Sequence, residues 1–451
     1  MNIVLVITDC LRYDAFSKYM KIKQYAEKIL NKVYSPAPST FFAMPSLMTG
    51  TLPFQVVDNA RINASIYSYL PKLARIVGFN NVYETTNIVT SKYYGYEPYS
   101  EFYDDFLQKH KIEAFKNLVI YAQGAQEEHS KKSKNSIMKN LKTFIKKNKV
   151  LYKFAMNLYL LWKKPNLRKR ARLNFNINFE FKTRITEVMN RLKDIIANID
   201  HDNNFIFIHL IDTHAPYGAP QIINKMSKKK YLKILKTHEK LIYTPLLLKP
   251  FEIGLLKELY ISEVEFLDKN LDIMLNMIFD KFGYENTLIV MVSDHGEAFG
   301  EHDIFTHPGS SLIEELLHVP LSIYGDISNK IHINPDGIYS SLIIHEIISK
   351  LMLGEEEVFI DPPDQVISIA YKRVKIEDVF RDKYRIHGYS IISDQDPQLR
   401  VWYFNEQENG TLENADKFSM LQEFLIDLRR KYLIDKLKRR IYGIKLPEEK
   451  V

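Results

Sequence analysis

The sequence of 451 residues contains a single cysteine, Cys10, and no long apolar segment. One cysteine excludes an internal disulfide and suits a reducing compartment. No segment approaches the roughly 20 apolar residues that a helix needs to cross a bilayer. Met1 runs directly into an apolar segment without a charged leader or a cleavage site, so we expect no secretory signal and a cytoplasmic location.

Internal repeats, low-complexity linkers and recognised nucleic-acid-binding modules are absent too, so we expect no nucleic-acid partner. With 46% hydrophobic residues the chain can bury a substantial core, and its length exceeds what one core usually reaches. We therefore expect a large core over residues 1–360, interrupted by an insert at about 116–180. A smaller C-terminal α+β subdomain is expected over 361–451.

Positive charge is concentrated in this insert. Residues 129–179 hold 15 Lys or Arg and no Asp or Glu, so the rest of the chain sums to about −8 against +7 for the whole. Apolar residues in it recur at helical spacing: Leu151, Phe154, Ala155, Leu158 and Trp162. This predicts a basic amphipathic helix. Either residues 129–172 lie on an anionic membrane at its inner surface, or the helix packs on the core with a solvated basic edge.

Three apolar runs end in acidic or histidine residues. The runs are Asn2 to Thr8, which stops at Asp9; Asn204 to Ile211, which stops at Asp212; and Leu288 to Met291, which leads to Asp294 and His295. Such runs predict strands buried on both faces of a mostly parallel sheet flanked by helices, hence an α/β fold. Open α/β sheets hold ligands at the strands' carboxyl ends, which predicts a metal site. For Asp9 or Asp294 alone, the alternative is a residue that merely begins a turn.

Other segments have weaker patterns. Apolar repeats after Ile66 predict a helix, and Val82 to Thr86 a short strand. Further helices are predicted from about 180 to 200 and from about 251 to 281. Short strands over Val366 to Lys372 and Arg400 to Phe404, followed by a basic helix from about 417 to 441, are predicted for the C-terminal part.

Four segments together resemble the sulfatase-like branch of the alkaline phosphatase superfamily. They are Asp9 to Asp14, Ser39 to Pro53, Asp212 to Tyr217 and Ser293 to Pro320. Their order and spacing match over most of the chain, excluding the basic insert and the C-terminal segment. The resemblance implies an alkaline-phosphatase-like core and an ester-cleaving metalloenzyme.

The resemblance also implies a nucleophile at Thr40, ten residues before Gly50. True sulfatases carry there a Cys or Ser that is oxidised to formylglycine, within Cys/Ser-x-Pro-x-Arg. Thr40 is followed by Phe41-Phe42-Ala43-Met44, and a threonine cannot become that aldehyde hydrate. Thr40 can instead act as a metal-activated alkoxide. Alternatively, Ser39 and Thr40 only cap a helix, and both uses are compatible.

By the same resemblance the metal ligands are Asp9, Thr40, Asp294 and His295. Hard oxygen ligands with one imidazole favour Mn2+ or Zn2+, with Mg2+ and Ca2+ as alternatives. Cys10 replaces the second Asp of the sulfatase pair, which argues against calcium. A dinuclear site would resemble Asp-x-x-x-His, but Pro216 stands four residues after Asp212. We therefore expect one divalent metal.

Several further residues are expected around the metal. The resemblance implies that His214 and His307 contact the transferred group or protonate the leaving oxygen, and that Arg12, His214 and His302 bind substrate. The alternative for His302 and His307 is that they are exposed loop histidines. His209 alternates with apolar strand positions, which predicts a buried histidine with its hydrogen bonds satisfied.

The function expected is a metal-dependent hydrolase or transferase that acts on phosphate esters through phospho-Thr40. Its substrate would be a small-molecule or lipid-linked ester. One alternative is a sulfuric ester hydrolase acting on a sulfated carbohydrate or small molecule. The other is a non-catalytic sulfatase-like binding protein, which the complete ligand set argues against.

Overall fold

The computed structural model describes residues 1–58, 61–62, 64, 66–100, 102–105, 182–374 and 383–403. The basic helix expected in the insert and the helix expected at 417–441 lie outside these residues, so both stay predictions. No helix in the described ranges is both long enough and apolar enough to cross a membrane.

The described strands have the following bounds: β1 Asn2–Thr8, β2 Lys28–Tyr34, β3 Val57–Asp58, β4 Arg61–Ile62, β5 Asn80–Thr85, β6 Phe102–Asp105, β7 Asn204–Leu210, β8 Thr287–Ser293, β9 Ala298–Phe299, β10 Phe305–Thr306, β11 His318–Tyr324, β12 Ile331–Ile333, β13 Ile338–Ser340, β14 Val358–Ile360, β15 Val366–Val374, β16 Lys383–Ile392 and β17 Arg400–Tyr403. Eight of them form the central sheet in the order β13-β2-β11-β8-β1-β7-β5-β6. Only β11 runs antiparallel to its neighbours among these eight. The prediction of a mostly parallel sheet is confirmed.

The described α-helices have the following bounds: α1 Tyr13–Tyr19, α2 Thr40–Thr49, α3 Pro53–Val56, α4 Leu70–Ile76, α5 Ile185–Ala197, α6 Pro220–Ile223, α7 Lys228–Tyr243, α8 Pro250–Phe282, α9 Glu314–Leu317 and α10 Ile343–Met352. Short 3-10 turns lie at Ile22–Tyr25, Ile88–Thr90, Lys92–Tyr94, Pro245–Leu247, Glu301–Asp303 and Asp326–Lys330. The helices expected after Ile66, near 180–200 and near 251–281 correspond to α4, α5 and α8.

Helices cover both faces of the sheet because successive strand residues point to opposite sides. In β1, Leu5 packs into the core on the side of α2, α4 and α10, while Val6 packs into the core on the side of α1, α5, α7 and α8. Strands β1, β7 and β8 are buried along their whole length. Their continuous apolar runs thus reflect burial on two faces.

A second, antiparallel sheet of β15, β16 and β17 packs against the segment that carries Thr40. The Ile369 amide donates to the Pro36 carbonyl at 2.8 Å. The Tyr371 ring stacks on Phe42, with ring centroids 4.0 Å apart. The first strand of the expected C-terminal subdomain therefore supports α2, and the subdomain boundary itself stays a prediction.

Candidate active site

The site forms where the central strands end side by side. Asp9 follows β1, Asp294 follows the neighbouring strand β8, and Asn87 lies just beyond β5 on the other side of β7. Parallel strands bring their carboxyl ends to one edge of the sheet, so residues distant in sequence meet there. Ser293 links the ends of β8 and β1, because its hydroxyl donates to the Thr8 carbonyl at 2.6 Å.

The four residues expected to bind metal come together at this edge. The Nε2 atom of His295 lies 3.0 Å from the Thr40 hydroxyl, 3.5 Å from Asp294 Oδ2 and 3.7 Å from Asp9 Oδ1. The side chains of all four are buried. The ligand atoms of Asp9, Asp294 and His295 lie within 4.8 Å of one another, a separation that one ion can bridge.

The ring of His295 is oriented for coordination. Its Nδ1 atom lies 2.8 Å from the Gly296 carbonyl and therefore carries the proton. The lone pair of Nε2 is then available to coordinate a metal. Burial lowers the pKa of His295 to about 4, so the imidazole is neutral at pH 7. The position after His295 requires glycine, because a Cβ at Gly296 would overlap the backbone carbonyl of Glu315.

Asp9 and Asp294 carry a charge arrangement that fits a bound cation. Burial, followed by the nearby Asp9 carboxylate, raises the pKa of Asp294 to about 7. Burial has the same tendency at Asp9, but neighbouring histidines, above all His214, outweigh it and lower the pKa of Asp9. No described residue gives the buried Oδ2 atom of Asp294 a hydrogen bond. Two adjacent carboxylates with an unpaired buried oxygen are suited to a divalent metal.

Thr40 is the first residue of α2, and its hydroxyl faces the metal ligands. Ser39 occupies the N-cap position, but its side chain forms no capping hydrogen bond. The helix ends at Gly50, whose φ of 69° is left-handed and whose missing Cβ leaves room for the His345 ring. The Thr40 hydroxyl therefore points toward His295, and the amides of the first helical turn lie beside it.

His307 is held by a carboxylate that the sequence had not indicated. Its Nδ1 atom lies 3.1 Å from Oε1 of Glu297, and the other oxygen of Glu297 accepts a 2.6 Å hydrogen bond from Tyr217. Burial acts to lower the pKa of His307, but the Glu297 carboxylate outweighs it and raises the pKa to about 9. The His307 ring lies 4.6 Å from that of His295 and 4.9 Å from that of His214.

His214 lies on a loop held by a buried ion network. Lys182 donates to the carbonyls of Asp212, His214 and Pro216, and to the Glu263 carboxylate. Glu263 also pairs with a second buried cation, Arg184. The Asp212 carboxylate accepts from the amide of Ile185 at 3.1 Å, at the start of α5. Asp212 therefore orders the backbone beside the site.

Two residues expected to bind substrate have described surroundings other than the metal ligands. The Arg12 guanidinium pairs with Asp14 at 2.7 Å and with Glu301 at 3.1 Å, and it also donates to the Glu297 carbonyl. Most of its donors are therefore occupied by the protein. His302 is exposed on the turn Glu301–Asp303. Substrate contact by either residue stays a prediction.

Three further residues, which the sequence analysis did not assign to the site, also reach it. Asn87 donates to Asp9 Oδ2 at 2.5 Å. His209 is buried as expected, with Nδ1 2.9 Å from the Thr90 hydroxyl, but no described residue hydrogen bonds to its Nε2, which lies 3.6 Å from Asp9 Oδ2. Cys10 places its sulfur 3.0 Å from Asp9 Oδ1. His209 is therefore buried and hydrogen bonded through Nδ1 as predicted, while its Nε2 faces Asp9.

A family model described as Sulfatase matches residues 1–349. The chain belongs to the sulfatase family. This assignment confirms the resemblance drawn from the four sequence segments, and members of the family are hydrolases or transferases that bind a divalent metal. A search of curated proteins finds no match.

Solved structures confirm the fold of this sulfatase-family chain. The phosphonate monoester hydrolase of Agrobacterium radiobacter is similar with a TM-score of 0.54 and 11% identity, over 99% of this chain and 98% of the other. The corresponding enzyme of Silicibacter pomeroyi has a TM-score of 0.52 and 13% identity, over 95% of each chain. At such identities the likeness shows the fold alone, here the alkaline-phosphatase-like fold.

Proposed function

We propose that this protein is a metal-dependent hydrolase or transferase of phosphate esters that uses Thr40 as its nucleophile. The observation that carries the proposal is the Thr40 hydroxyl, buried and 3.0 Å from Nε2 of His295, beside Asp9 and Asp294. A hydroxyl at a helix N-terminus also has free backbone amides nearby, which suit a phosphoryl oxygen.

Asp9, Thr40, Asp294 and His295 would hold one divalent ion, with Mn2+ or Zn2+ favoured by the donor set. A bound ion would lower the pKa of the hydroxyl and withdraw negative charge from the ester. Asn87 donates to Asp9 Oδ2 and His209 lies 3.6 Å from the same oxygen, and both would keep the carboxylate of Asp9 aimed at the ion.

Residues of the chain carry out the bond-making and proton-transfer steps. The Thr40 hydroxyl first loses its proton to solvent; its oxygen then forms a bond to phosphorus, the bond from phosphorus to the leaving oxygen breaks, and His307 gives that leaving oxygen a proton. Glu297 fixes the His307 ring through Nδ1. The oxygen of water or of an acceptor hydroxyl then forms a bond to the phosphorus of phospho-Thr40, and its proton returns to His307. The bond from phosphorus to the Thr40 oxygen breaks, which regenerates Thr40. Hydrolysis and transfer thus differ only in whether the acceptor is water or a hydroxyl compound.

Sulfate-ester hydrolysis is the second candidate, supported by membership of the sulfatase family. Formylglycine chemistry requires a Cys or Ser, and Thr40 can form neither the aldehyde nor its hydrate. Phosphorus is therefore the favoured centre of attack, and two proteins with this fold are named as phosphonate monoester hydrolases.

A panel of aryl phosphate monoesters, phosphodiesters, phosphonate esters and sulfates tests the proposal, with metal removed and each of Mn2+, Zn2+, Mg2+ and Ca2+ added back. We expect turnover of a phosphorus ester and its loss in Thr40→Val, which keeps the side-chain shape. Thr49→Val, a buried change at the far end of α2, is the matched control and should retain turnover. Turnover of sulfate esters alone would contradict the proposal.

We further propose a lipid-linked or small-molecule ester as the substrate, met at the cytoplasmic face of an anionic membrane. The support is the charge of residues 129–172, which carry 15 Lys or Arg. Basic amphipathic segments of this composition bind anionic lipid surfaces. Such binding would bring substrates of this class to Thr40.

A further inference from the structure

The helix α7 presents a basic face to solvent. Residues 225–236, most of which lie in α7, contain six lysines and no Asp or Glu. Lys229, Lys233 and Lys236 are spaced at i, i+4 and i+7, so they share one face of the helix, and all three are exposed. Among the described residues, none forms an ion pair with these three lysines. Their positive charge is therefore available to a partner.

Large apolar side chains lie among these lysines. Leu232 is 39% exposed, and it lies on the same side of α7 because it is one helical turn from both Lys229 and Lys236. Phe251, at the start of α8, is 55% exposed, and Nζ of Lys233 lies 4.9 Å from the centroid of its ring. Lys229, Leu232, Lys233, Lys236 and Phe251 together form the α7 surface.

Packing in the core does not account for the apolar part of the α7 surface. The opposite side of α7 supplies Ile234 and Leu241, which are buried in the core that α7 shares with α5 and α8. Leu232 and Phe251 belong to none of the hydrophobic clusters of the described residues. Single exposed apolar residues are ordinary, but two large ones surrounded by lysines are typical of a helix that lies in a lipid interface.

The buried side of α7 connects this surface to the active site. Nε2 of His238 accepts a 2.9 Å hydrogen bond from the amide of Tyr217. Tyr217 lies on the same loop as His214, and its hydroxyl donates to Glu297, which in turn holds His307. A partner that binds the α7 surface therefore lies on the helix that supports the active-site loop.

We propose that the α7 surface docks on an anionic lipid bilayer, with its lysines at the lipid phosphates and with Leu232 and Phe251 among the first carbons of the acyl chains. A soluble polyanion would engage the lysines alone, whereas a bilayer engages both the lysines and the apolar side chains. The inference goes beyond the proposed function, because it concerns residues outside the segment 129–172 and does not depend on the chemistry of Thr40.

A fluorescent probe on α7 tests this docking at the surface itself. Leu232→Cys is labelled at the introduced thiol with an environment-sensitive dye, and wild-type protein, whose Cys10 is fully buried, measures background labelling. We expect a blue-shifted emission with vesicles that contain phosphatidylglycerol and none with pure phosphatidylcholine. The control is Ile273→Cys, which is 50% exposed and lies about 33 Å along α8 from Phe251, and it should show no shift.

Neutralising two lysines measures how much the α7 surface contributes to membrane affinity. Each lysine at an anionic membrane strengthens binding about fivefold, so Lys229→Gln combined with Lys233→Gln should weaken vesicle co-sedimentation about 25-fold. The control combines Lys193→Gln with Lys269→Gln, which removes two exposed lysines from α5 and α8 and should leave affinity unchanged. Equal affinities of the two double variants would overturn the inference.

The spectral outcomes distinguish this inference from the proposed function. Co-sedimentation with an unshifted probe at position 232 would overturn the docking of α7 and leave membrane contact to residues 129–172. No co-sedimentation at all would overturn both membrane proposals, while turnover of a phosphorus ester through Thr40 would stand. An equal shift with polyglutamate or single-stranded RNA would overturn the bilayer as the partner.

Discussion

Replacing Lys182 by Met should destabilise the protein far more than an ordinary lysine substitution. The Lys182 side chain is 1% exposed, and Nζ donates to the His214 and Pro216 carbonyls at 2.7 and 3.2 Å. Burial lowers the pKa of Lys182 to about 8, so the amine stays charged at pH 7 and pairs with Glu263. Methionine would fill the space but leave these buried acceptors without a donor.

Breaking one partner of a buried ion pair costs about 3 to 5 kcal/mol, and we expect this range for Lys182→Met. The control is Lys281→Met, because Lys281 contacts only the Ala197 carbonyl at 3.5 Å on the surface among described residues and should cost a few tenths of a kcal/mol. Urea unfolding at pH 7 measures both. A difference below about 0.5 kcal/mol between the two variants would refute the reasoning.

Three further predictions concern metal, pH and membrane. Chelation should lower the melting temperature and added Mn2+ or Zn2+ should restore it, more weakly in Asp294→Asn, because metal binds the folded state; an unchanged melting temperature would contradict the metal site. Burial lowers the pKa of His238 from 6.5 to about 4, so stability present above pH 6.5 should fall by about 3 kcal/mol as pH drops toward 4. The His238→Gln variant should lose less stability than the wild type over this pH interval. Equal losses would argue against protonation of His238 as the cause. The chain should co-sediment with anionic but not neutral vesicles, weakening with salt; equal partitioning onto both would favour a core-packed insert.

The strands and the carboxylates that follow them were predictable because local patterns specify them. The runs before Asp9 and Asp294 are apolar at every position, as burial on two faces requires, and a carboxylate at such a strand end is a strong sign of a site. The family resemblance implied Thr40 ten residues before Gly50, and the left-handed conformation of Gly50 ends α2.

Other contacts depend on sheet order and could not be inferred locally. Asn87 reaches Asp9 because β5 lies beside β7, and no spacing in the sequence indicates that adjacency. Lys182 and Glu263 meet only because α5 and α8 cover the same face of the sheet. For Arg12 a local contact competes with the role that the resemblance implied. Asp14, two residues away, occupies guanidinium donors that the resemblance assigned to substrate.

The most direct test of the proposed chemistry is the covalent state of Thr40 during turnover. Protein loaded with Mn2+ or Zn2+ is mixed with an activated aryl phosphate ester, quenched rapidly in acid, and analysed by intact-mass and peptide mass spectrometry. We predict a transient adduct of one phosphoryl group on Thr40, and neither adduct nor turnover in Thr40→Val. Full turnover in Thr40→Val, or an adduct on another residue, would contradict the assignment of Thr40 as nucleophile.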